Sequence, residues 1–312
     1  MSTAWNDCTF LTCSVLPVRM ACQCECPFCF SRSSVSALDL EPTPWSDADL
    51  RAHFRWAANK GATRMVVTGG GEPLLRPNDC LRTIRLAAEV FDEITLFTNA
   101  ALLTAQRAID LRSVGLSYLC WSRHAINDTD NRVLMGQAAP DADAVLRIAD
   151  AAGLPVRATC VMNTAGVAAT EDAWSYIDAF HRRGVREFTF KHTYVAGERS
   201  LFASSSANQW SREHQVQAEP FADHGEVVGS LPWGPQIRRI GEVQVCHYYE
   251  PTPEWELRHR VARSSNLLSD GSVYASLEDH TSLLCRLGSS TTASTNPSWT
   301  PAVWRTPSGQ PT

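Results

Sequence analysis

The sequence predicts an α/β fold with a parallel sheet, arranged as a partial (β/α)6 TIM-like barrel with a C-terminal extension. Between residues 10 and 192, six short apolar or β-branched segments alternate with segments of helical periodicity. Such alternation is typical of right-handed βαβ units, and six units fit a barrel that is only partly closed. A cysteine-rich loop and a glycine-rich turn follow the first two strands, at the strand ends where this architecture places its active groups.

The first half of the pattern begins with a strand at residues 10–19 that leads into the cysteine-rich loop. A helix is predicted over residues 45–59, because Ser46 is a suitable N-cap and Gly61 stands where a helix stops. The segments that follow are predicted alternately as strand and helix, at residues 64–68, 78–90, 93–98, 104–114 and 116–122.

The second half starts after a polar loop, and its segments are predicted alternately as helix and strand at residues 141–152, 156–162, 171–183 and 187–192. Residues 197–240 lack periodicity, and a segment of this length is usually a lid, a binding loop or disordered. The pattern returns at residues 241–249 and again at 266–277, where Asp270-Gly271 predicts a hairpin turn.

Three segments follow from this pattern. We expect a barrel core at residues 1–195, an extension covering the barrel mouth at 196–288, and a flexible tail at 289–312 that is rich in Ser, Thr and Pro.

Composition limits the possible partners. The 312-residue chain has a net charge of -5, with no basic patch that would indicate nucleic acid or an anionic membrane. No apolar run reaches the length of a membrane span, and the first residues do not resemble a signal peptide. Eleven cysteines favour metal binding and free thiols in a reducing compartment. We therefore expect a soluble cytoplasmic protein.

Four cysteines fall within eight residues of the cysteine-rich loop, Cys22 to Cys29. Cys22, Cys26 and Cys29 have a Cys-x3-Cys-x2-Cys spacing, which lets one loop surround one face of a cubic iron–sulfur cluster and leaves one iron open. Cys24 alternates with these three and is predicted not to be a ligand. The other cysteines are isolated in sequence, so one cluster is expected. Zinc is the competing interpretation, with Cys24 as a fourth ligand.

The glycine-rich turn reads Gly70-Gly71-Glu72-Pro73. Glycines allow the backbone to approach a ligand closely, and a turn carbonyl or carboxylate can accept hydrogen bonds from an ammonium group. The alternative is an ordinary turn at a strand end with Glu72 in solvent.

Together, Cys22-x3-Cys26-Pro27-Phe28-Cys29 and Gly70-Gly71-Glu72-Pro73 resemble the motifs of the radical SAM superfamily. The resemblance extends over residues 10–195. It implies that Cys22, Cys26 and Cys29 hold one 4Fe-4S cluster whose open iron binds S-adenosylmethionine (SAM). One electron, from a flavodoxin or ferredoxin, then cleaves SAM, and the resulting 5′-deoxyadenosyl radical abstracts hydrogen from a substrate.

The resemblance also assigns residues to SAM binding. Phe28 would lie beside the adenine, and the methionyl amine would meet Gly70, Gly71 and Glu72. Thr98-Asn99-Ala100 stands where many members have Thr-Asn-Gly, so the glycine is lost here. The remaining residues assigned to the cofactor follow strands three to five, and they are Asn99, Ser122, Arg123 and Asn163.

Several residues are candidates for catalysis. Cys246 or Cys285 would be a hydrogen-atom donor, the alternative being an inert thiol. His124 and Lys191 would face substrate, the alternatives being a surface histidine and a structural ion pair. If the C-terminal hairpin closes the barrel mouth, Arg263, Glu278 and Asp279 would bind polar substrate groups; otherwise they form a solvated charge cluster.

The sequence therefore predicts a radical SAM enzyme that acts on a small-molecule or peptide substrate, in specialised metabolism. Epimerisation, dehydrogenation, bond formation and rearrangement all begin with the same hydrogen abstraction, so the reaction type stays open. The alternative from another class is a non-enzymatic zinc or iron–sulfur protein with a structural or electron-transfer role. No nucleic-acid or membrane partner is expected.

Overall fold

The computed structural model describes residues 4–38, 41–198 and 200–287. The predicted tail at 289–312 lies outside the described residues. Parallel strands alternate with helices, so the predicted α/β class is confirmed. Within the described ranges, no helix is both long enough and apolar enough to span a bilayer.

The α-helices in chain order are α1 Asp47–Asn59, α2 Pro77–Ala87, α3 Ala105–Ser113, α4 Asp128–Met135, α5 Ala142–Ala151, α6 Thr170–His181, α7 Ser206–Glu213 and α8 Pro253–His259. The strands are β1 Thr9–Val15, β2 Arg64–Val67, β3 Ile94–Thr98, β4 Tyr118–Ser122, β5 Val156–Met162, β6 Glu187–His192, β7 Glu226–Ser230, β8 Gln236–Ile240, β9 Val243–Tyr248, β10 Val261–Leu267, β11 Ser272–Tyr274 and β12 Leu283–Arg286. Short 3-10 helices occupy Ala4–Asp7, Phe30–Ser33, Val35–Leu38 and Pro73–Leu75.

The chain forms two compact units that are interleaved in sequence. The first unit contains the described residues that fall within Met1–Ala21, Ser34–Ile94 and Pro251–Thr312. The second comprises Cys22–Ser33 and Thr95–Glu250. The three consecutive segments predicted from the sequence remain a prediction. They differ from these two units, each of which is built from several separate stretches of the chain.

In the first unit, β1 lies between β10 and β2 and is parallel to both. The sheet continues from β10 through antiparallel pairing with β11 and then β12. The hairpin predicted at Asp270-Gly271 is therefore present, with Asn266 opposite Tyr274. On α1, Ser46 is the N-cap of a capping box with Asp49.

In the second unit, β3, β4, β5, β6 and β9 are neighbours in that order and all parallel. The strands β8 and β7 extend this sheet by antiparallel pairing from β9. One face of the sheet is packed by α6, since Tyr176 contacts Phe188 and Phe190 and Trp121 meets Phe180 edge-on. The helices thus cover an apolar face.

The six predicted strands and the five predicted helices agree with the structure to within a few residues at most boundaries. The polar loop predicted after β4 was wrong in part, because it contains α4. The segment at 197–240, which lacks periodicity, contains α7, β7 and β8. Residues 261–265 of β10, and the parallel pairing of β10 with β1, were also missed.

Candidate functional site

The cysteine-rich loop separates Cys24 from its three neighbours. Cys22 is exposed and Cys26 and Cys29 are half-buried. Cys24, by contrast, is 5% exposed and lies in an apolar cluster with Phe28, Ala125, Leu134, Met135 and Ala139. The loop therefore directs Cys24 into the protein interior, while Cys26 packs against the edge of that cluster and Cys22 remains exposed.

Helix α4 holds this loop in place. The Glu25 backbone N–H donates to the Met135 carbonyl at 2.8 Å, at the C-terminal end of the helix. Gly136 ends α4 with a φ of 92°, and a Cβ at this position would lie 3.4 Å from the Glu25 nitrogen. The positive φ therefore favours glycine here, whereas a Cβ would meet the loop only at ordinary contact distance.

The three motif thiols lie near enough for their charges to interact. Burial, together with nearby Cys29 and Cys22, raises the pKa of Cys26 to about 12. Thiols in this setting ionise when a metal supplies positive charge, as cluster ligands do. None of the eleven cysteines, all within the described ranges, forms a disulfide. The donor set therefore fits an iron–sulfur cluster. In the same ranges, no three His, Cys, Asp or Glu side chains lie close enough together to hold a single metal ion.

Asn99, at the end of β3, contacts the cysteine loop. Its Nδ2 donates to Cys22 Sγ at 3.5 Å, and its Oδ1 accepts from Gln23 Nε2 at 2.9 Å. The contact with SAM predicted for Asn99 remains a prediction, and within the protein its side chain contacts the cysteine loop. Ala100, which follows, has a φ of 62°.

Phe28, the predicted adenine neighbour, is buried beside two rings. His124 meets it edge-on at 4.8 Å between centroids, and Trp210 of α7 lies at 5.4 Å. Trp210 was not predicted, because the sequence around it gave no helical pattern. His124 is 4% exposed, so the alternative of a surface histidine does not hold.

The protonation state of His124 follows from its contacts. Its Nδ1 accepts a hydrogen bond from the Val161 backbone N–H at 3.0 Å, so Nε2 carries the proton of the neutral ring. Burial, with the nearby cations Arg123 and Lys191, lowers the pKa of His124 to about 3. The ring is therefore neutral at physiological pH.

Arg123 is fully buried and its guanidinium is held by groups of the following loop. Its ion pair with Asp128 measures 2.8 Å, and Nε donates to the Ala125 carbonyl at 2.7 Å. Nη2 donates to the Ile126 carbonyl at 2.9 Å. The structure thus places Arg123 in a buried network that shapes the loop before α4, and its assignment to the cofactor remains a prediction.

Asn163 has a similar local role. It is fully buried after β5, its Nδ2 donates to the Val161 carbonyl at 2.9 Å, and its Oδ1 accepts from the Ala165 N–H at 3.0 Å. These contacts stabilise the turn that follows the strand.

A row of small polar groups crosses the second unit on the face opposite α6. Register partners in neighbouring strands point to the same side of a sheet, and the row is Ser122, Thr159, Thr189 and Cys246. Thr159 is 4% exposed, and its Oγ1 has no hydrogen-bond partner in the protein. A buried hydroxyl without a partner is unfavourable unless a ligand or water satisfies it.

Lys191 lies on the same face, one pleat further along β6. Its Nζ is 2.8 Å from Glu250 Oε1 and 4.9 Å from the centroid of the Tyr248 ring. The sequence left both an ion pair and a substrate contact open for Lys191, and the structure shows the ion pair. Cys246 lies near the Lys191 ammonium group, and burial raises the pKa of the Cys246 thiol to about 11.

In the first unit, the glycine-rich turn packs on the segment that precedes the cysteine loop. Gly71 N–H donates to the Val18 carbonyl at 3.2 Å and Glu72 N–H to the Ala21 carbonyl at 2.8 Å. A Cβ on Gly71 would overlap the Ala21 carbonyl oxygen, and a Cβ on Gly70 would lie 2.9 Å from the Val18 oxygen. The glycines are therefore required by neighbouring backbone.

Glu72 is 2% exposed, so its side chain is not in solvent. Its Oε1 accepts from the Leu74 N–H at 3.0 Å and caps the short helix Pro73–Leu75. The buried Cys80 thiol on α2 donates to the Pro73 carbonyl at 3.2 Å.

Among the C-terminal charges of the first unit, Glu278 is buried and Arg263 and Asp279 are half-buried. Arg263 Nη2 is 2.7 Å from Glu278 Oε1, and this carboxylate side chain is 3% exposed. Asp279 accepts from Trp5 Nε1 at 3.2 Å. The alternative of a solvated cluster therefore does not hold for Glu278. Cys285 lies on β12, where burial raises its pKa to about 12.

Known proteins are similar to this chain both in sequence and in fold. The GTP 3',8-cyclase of Xanthomonas campestris pv. campestris (strain B100) is 35% identical over 130 residues, which cover 39% of this chain and 36% of that protein. The match thus spans little more than a third of the relative.

Solved structures share the fold at low identity. SuiB of Streptococcus suis bound to S-adenosylmethionine has a TM-score of 0.56 at 15% identity, over 86% of this chain and 60% of that one. The anSMEcpe structure with bound AdoMet and Kp18Cys peptide has a TM-score of 0.56 at 13% identity, over 90% and 78%.

These likenesses support the predicted partial-barrel fold. The model of the Radical SAM superfamily matches residues 18–174, which is half of the chain and includes both motifs. This chain therefore belongs to the radical SAM superfamily.

Proposed function

We propose that Cys22, Cys26 and Cys29 bind a 4Fe-4S cluster and that the enzyme reductively cleaves SAM to act on a small-molecule or peptide substrate. When bound, the cluster and SAM supply a 5′-deoxyadenosyl radical, which takes a hydrogen atom from the substrate. Membership of the superfamily favours this enzyme over the alternative of a non-enzymatic metal protein.

The observation that carries the proposal is the division of the four loop thiols. Cys24 is buried within the apolar cluster, whereas Cys22 is exposed and Cys29 is half-buried. Cys26 packs against the edge of the cluster, and its thiol is close enough to Cys22 and Cys29 for their charges to raise its pKa. Three ligands leave one iron for SAM, whereas structural zinc sites are closed by four.

The chain's own residues supply a dry surface beside the loop and a polar surface for substrate. Phe28, Trp210 and Val161 are apolar groups at the cluster of Cys24 and exclude water from that side. The polar row, with the unpartnered Thr159 hydroxyl, offers hydrogen bonds to polar substrate groups.

The names of the similar proteins support the proposed classes of substrate. The relative that is similar in sequence is a GTP 3',8-cyclase. Among the structures that are similar in fold, SuiB has been solved with its precursor peptide SuiA and anSMEcpe with the Kp18Cys peptide. We propose a small-molecule or peptide substrate for this chain and a flavodoxin- or ferredoxin-type reductant.

The test compares two single cysteine variants, Cys24→Ala and Cys26→Ala, whose substituted positions are two residues apart. The wild-type chain and Cys24→Ala are expected to take up about four iron atoms on anaerobic reconstitution and to release 5′-deoxyadenosine from SAM under reduction. Cys26→Ala is expected to lose most of the iron and all SAM cleavage. Iron and sulfide analysis and chromatography of the nucleoside measure both outcomes.

Two results would contradict the proposal. One is a colourless wild-type protein that binds one zinc ion per chain. The other is a Cys24→Ala variant that loses as much iron as Cys26→Ala, which would make Cys24 a ligand.

A further inference from the structure

Two N–H groups converge on the sulfur of Cys22. The Cys24 backbone N–H donates to Cys22 Sγ at 3.3 Å, and Asn99 Nδ2 donates to the same atom at 3.5 Å. Both distances are within the usual range for hydrogen bonds to sulfur. Of the three predicted ligands, Cys22 is thus held by donors from its own loop and from the end of β3.

The orientation of the Asn99 amide is fixed by its neighbours. The Ala101 backbone N–H, which can only donate, lies 2.9 Å from Asn99 Oδ1. Because this contact requires an acceptor, the amide nitrogen must be the atom that faces Cys22. Gln23 Nε2 donates to the same Oδ1 at 2.9 Å, which agrees with this orientation.

The turn that carries Asn99 is itself held. Thr98 Oγ1 accepts from the Ala100 N–H at 2.9 Å, and Asn99 is 6% exposed. The donor is therefore in place before any cofactor binds, and little ordering is required of it.

We propose that Asn99 is a positioning residue for the cluster ligand Cys22: it holds the thiolate and, by hydrogen bonding to its sulfur, stabilises the reduced cluster. The proposal rests on the function proposed above. Hydrogen bonds to ligating sulfurs and groups that orient ligands are known to set cluster potential and metal affinity. The SAM contact that the sequence predicted for Asn99 remains a separate prediction.

The first variant is Asn99→Asp, which keeps an acceptor for Ala101 and replaces the N–H donor by a carboxylate oxygen. Anaerobic iron release to a chelator is expected to show an affinity lower by about 10–100-fold. In a redox titration followed by electron paramagnetic resonance, the ratio of reduced to oxidised cluster at a given potential is expected to fall about tenfold, equivalent to about 59 mV for one electron.

The second variant, Asn99→Ser, separates the hydrogen bond from charge. It removes the amide donor without adding a negative charge, so the potential is expected to shift in the same direction by a smaller amount. Asn78→Asp is the matched control, because it makes the same chemical change at an exposed site on α2. It is expected to leave both readouts unchanged.

The outcomes separate the two proposals. If the wild-type chain takes up no cluster, the proposed function fails. If the wild type and both Asn99 variants hold about four irons with the same release rate and potential, the function stands and the role of Asn99 is refuted. A shift in Asn99→Asp alone would also refute it, because charge would then explain the effect.

Discussion

At the residue scale, Ala100 has a backbone conformation that an alanine rarely adopts. Its φ is 62°, in the left-handed region, directly after Asn99. For a residue with a Cβ this region costs about 1–2 kcal/mol. The strain is compatible with the fold because Thr98 Oγ1 and Asn99 Oδ1 accept the N–H groups of Ala100 and Ala101. The backbone at position 100 therefore has a conformation that favours glycine, although the residue is an alanine.

The variant Ala100→Gly is therefore expected to be neutral or to stabilise the protein by up to about 1.6 kcal/mol. Relief of the left-handed strain exceeds or balances the greater entropy of glycine in the unfolded chain, about 0.4–1 kcal/mol. Urea unfolding of the cluster-free protein measures the difference.

The control is Ala101→Gly, which lies one residue further along and has no positive φ. It is expected to destabilise the protein by about 0.5–1 kcal/mol. Equal losses in the two variants would show that Ala100 is not left-handed in solution.

At the element scale, the glycine-rich turn and the segment at residues 18–21 form one packed structure within the first unit. The Gly71 N–H and the Glu72 N–H donate to carbonyls of that segment, which leads directly to Cys22. The turn thus supports the entry to the cysteine loop as well as any role in binding SAM.

Gly71→Ala is expected to lower the free energy of unfolding by about 1–3 kcal/mol, since the new methyl group would overlap the Ala21 carbonyl and displace backbone. Iron uptake on reconstitution is also expected to fall, because residues 18–21 hold the approach to the loop. Urea unfolding and iron analysis measure the two effects.

Gly197→Ala is the matched control, because a Cβ there has no neighbour within 4 Å. It is expected to leave iron uptake unchanged. Full stability and full iron uptake in Gly71→Ala would contradict the packing described here.

Strands and helices could be predicted from the sequence where their apolar residues follow a regular pattern. The strands β1 to β6 were predicted, because each is a short apolar or β-branched segment next to a helix with regular spacing. Residues 261–265 of β10 were missed because Ser264 and Ser265 are polar although buried. Their hydrogen bonds, such as that between Ser14 and Ser264 at 2.6 Å, depend on a strand far away in sequence.

The candidate site shows the same limit. The ligand cysteines are predictable because their spacing is local, and these assignments remain predictions. Trp210 beside Phe28, and helix α4 beneath the loop, could not be predicted, since their roles come from tertiary contacts. The assignment of Arg123 to a cofactor remains a prediction; its burial and its partners, which follow it within a few residues, could not be inferred from the sequence.

At the scale of the whole molecule, buried histidines make stability depend on pH. His53 on α1 is fully buried, neither ring nitrogen has a hydrogen-bond partner, and burial lowers its pKa to about 3. The unfolded chain takes up a proton near pH 6.5 and the folded chain does not. The contribution of His53 is therefore fully present above about pH 6.5 and is lost as pH falls toward 3.

The expected slope from His53 is about 1.4 kcal/mol of unfolding free energy per pH unit below about pH 6. His124, whose pKa is also lowered to about 3, adds a similar slope. His53→Phe is expected to remove about half of the slope due to these two groups, and urea unfolding at pH 7, 6 and 5 measures it. An unchanged slope in the variant would show that His53 is protonated or solvated in the folded state.

The pairing of β1 with β10 has a consequence for how the protein forms in the cell. Thr9 lies opposite Val261, so the first strand of the chain acquires one of its two neighbours only after some 250 further residues have been made. At about 5–20 residues per second, β1 waits on the ribosome for roughly 10–50 s with one edge unpaired. During that interval the open edge is a site for incorrect pairing. A nascent chain halted before β10 is therefore the form of this protein most in need of a chaperone.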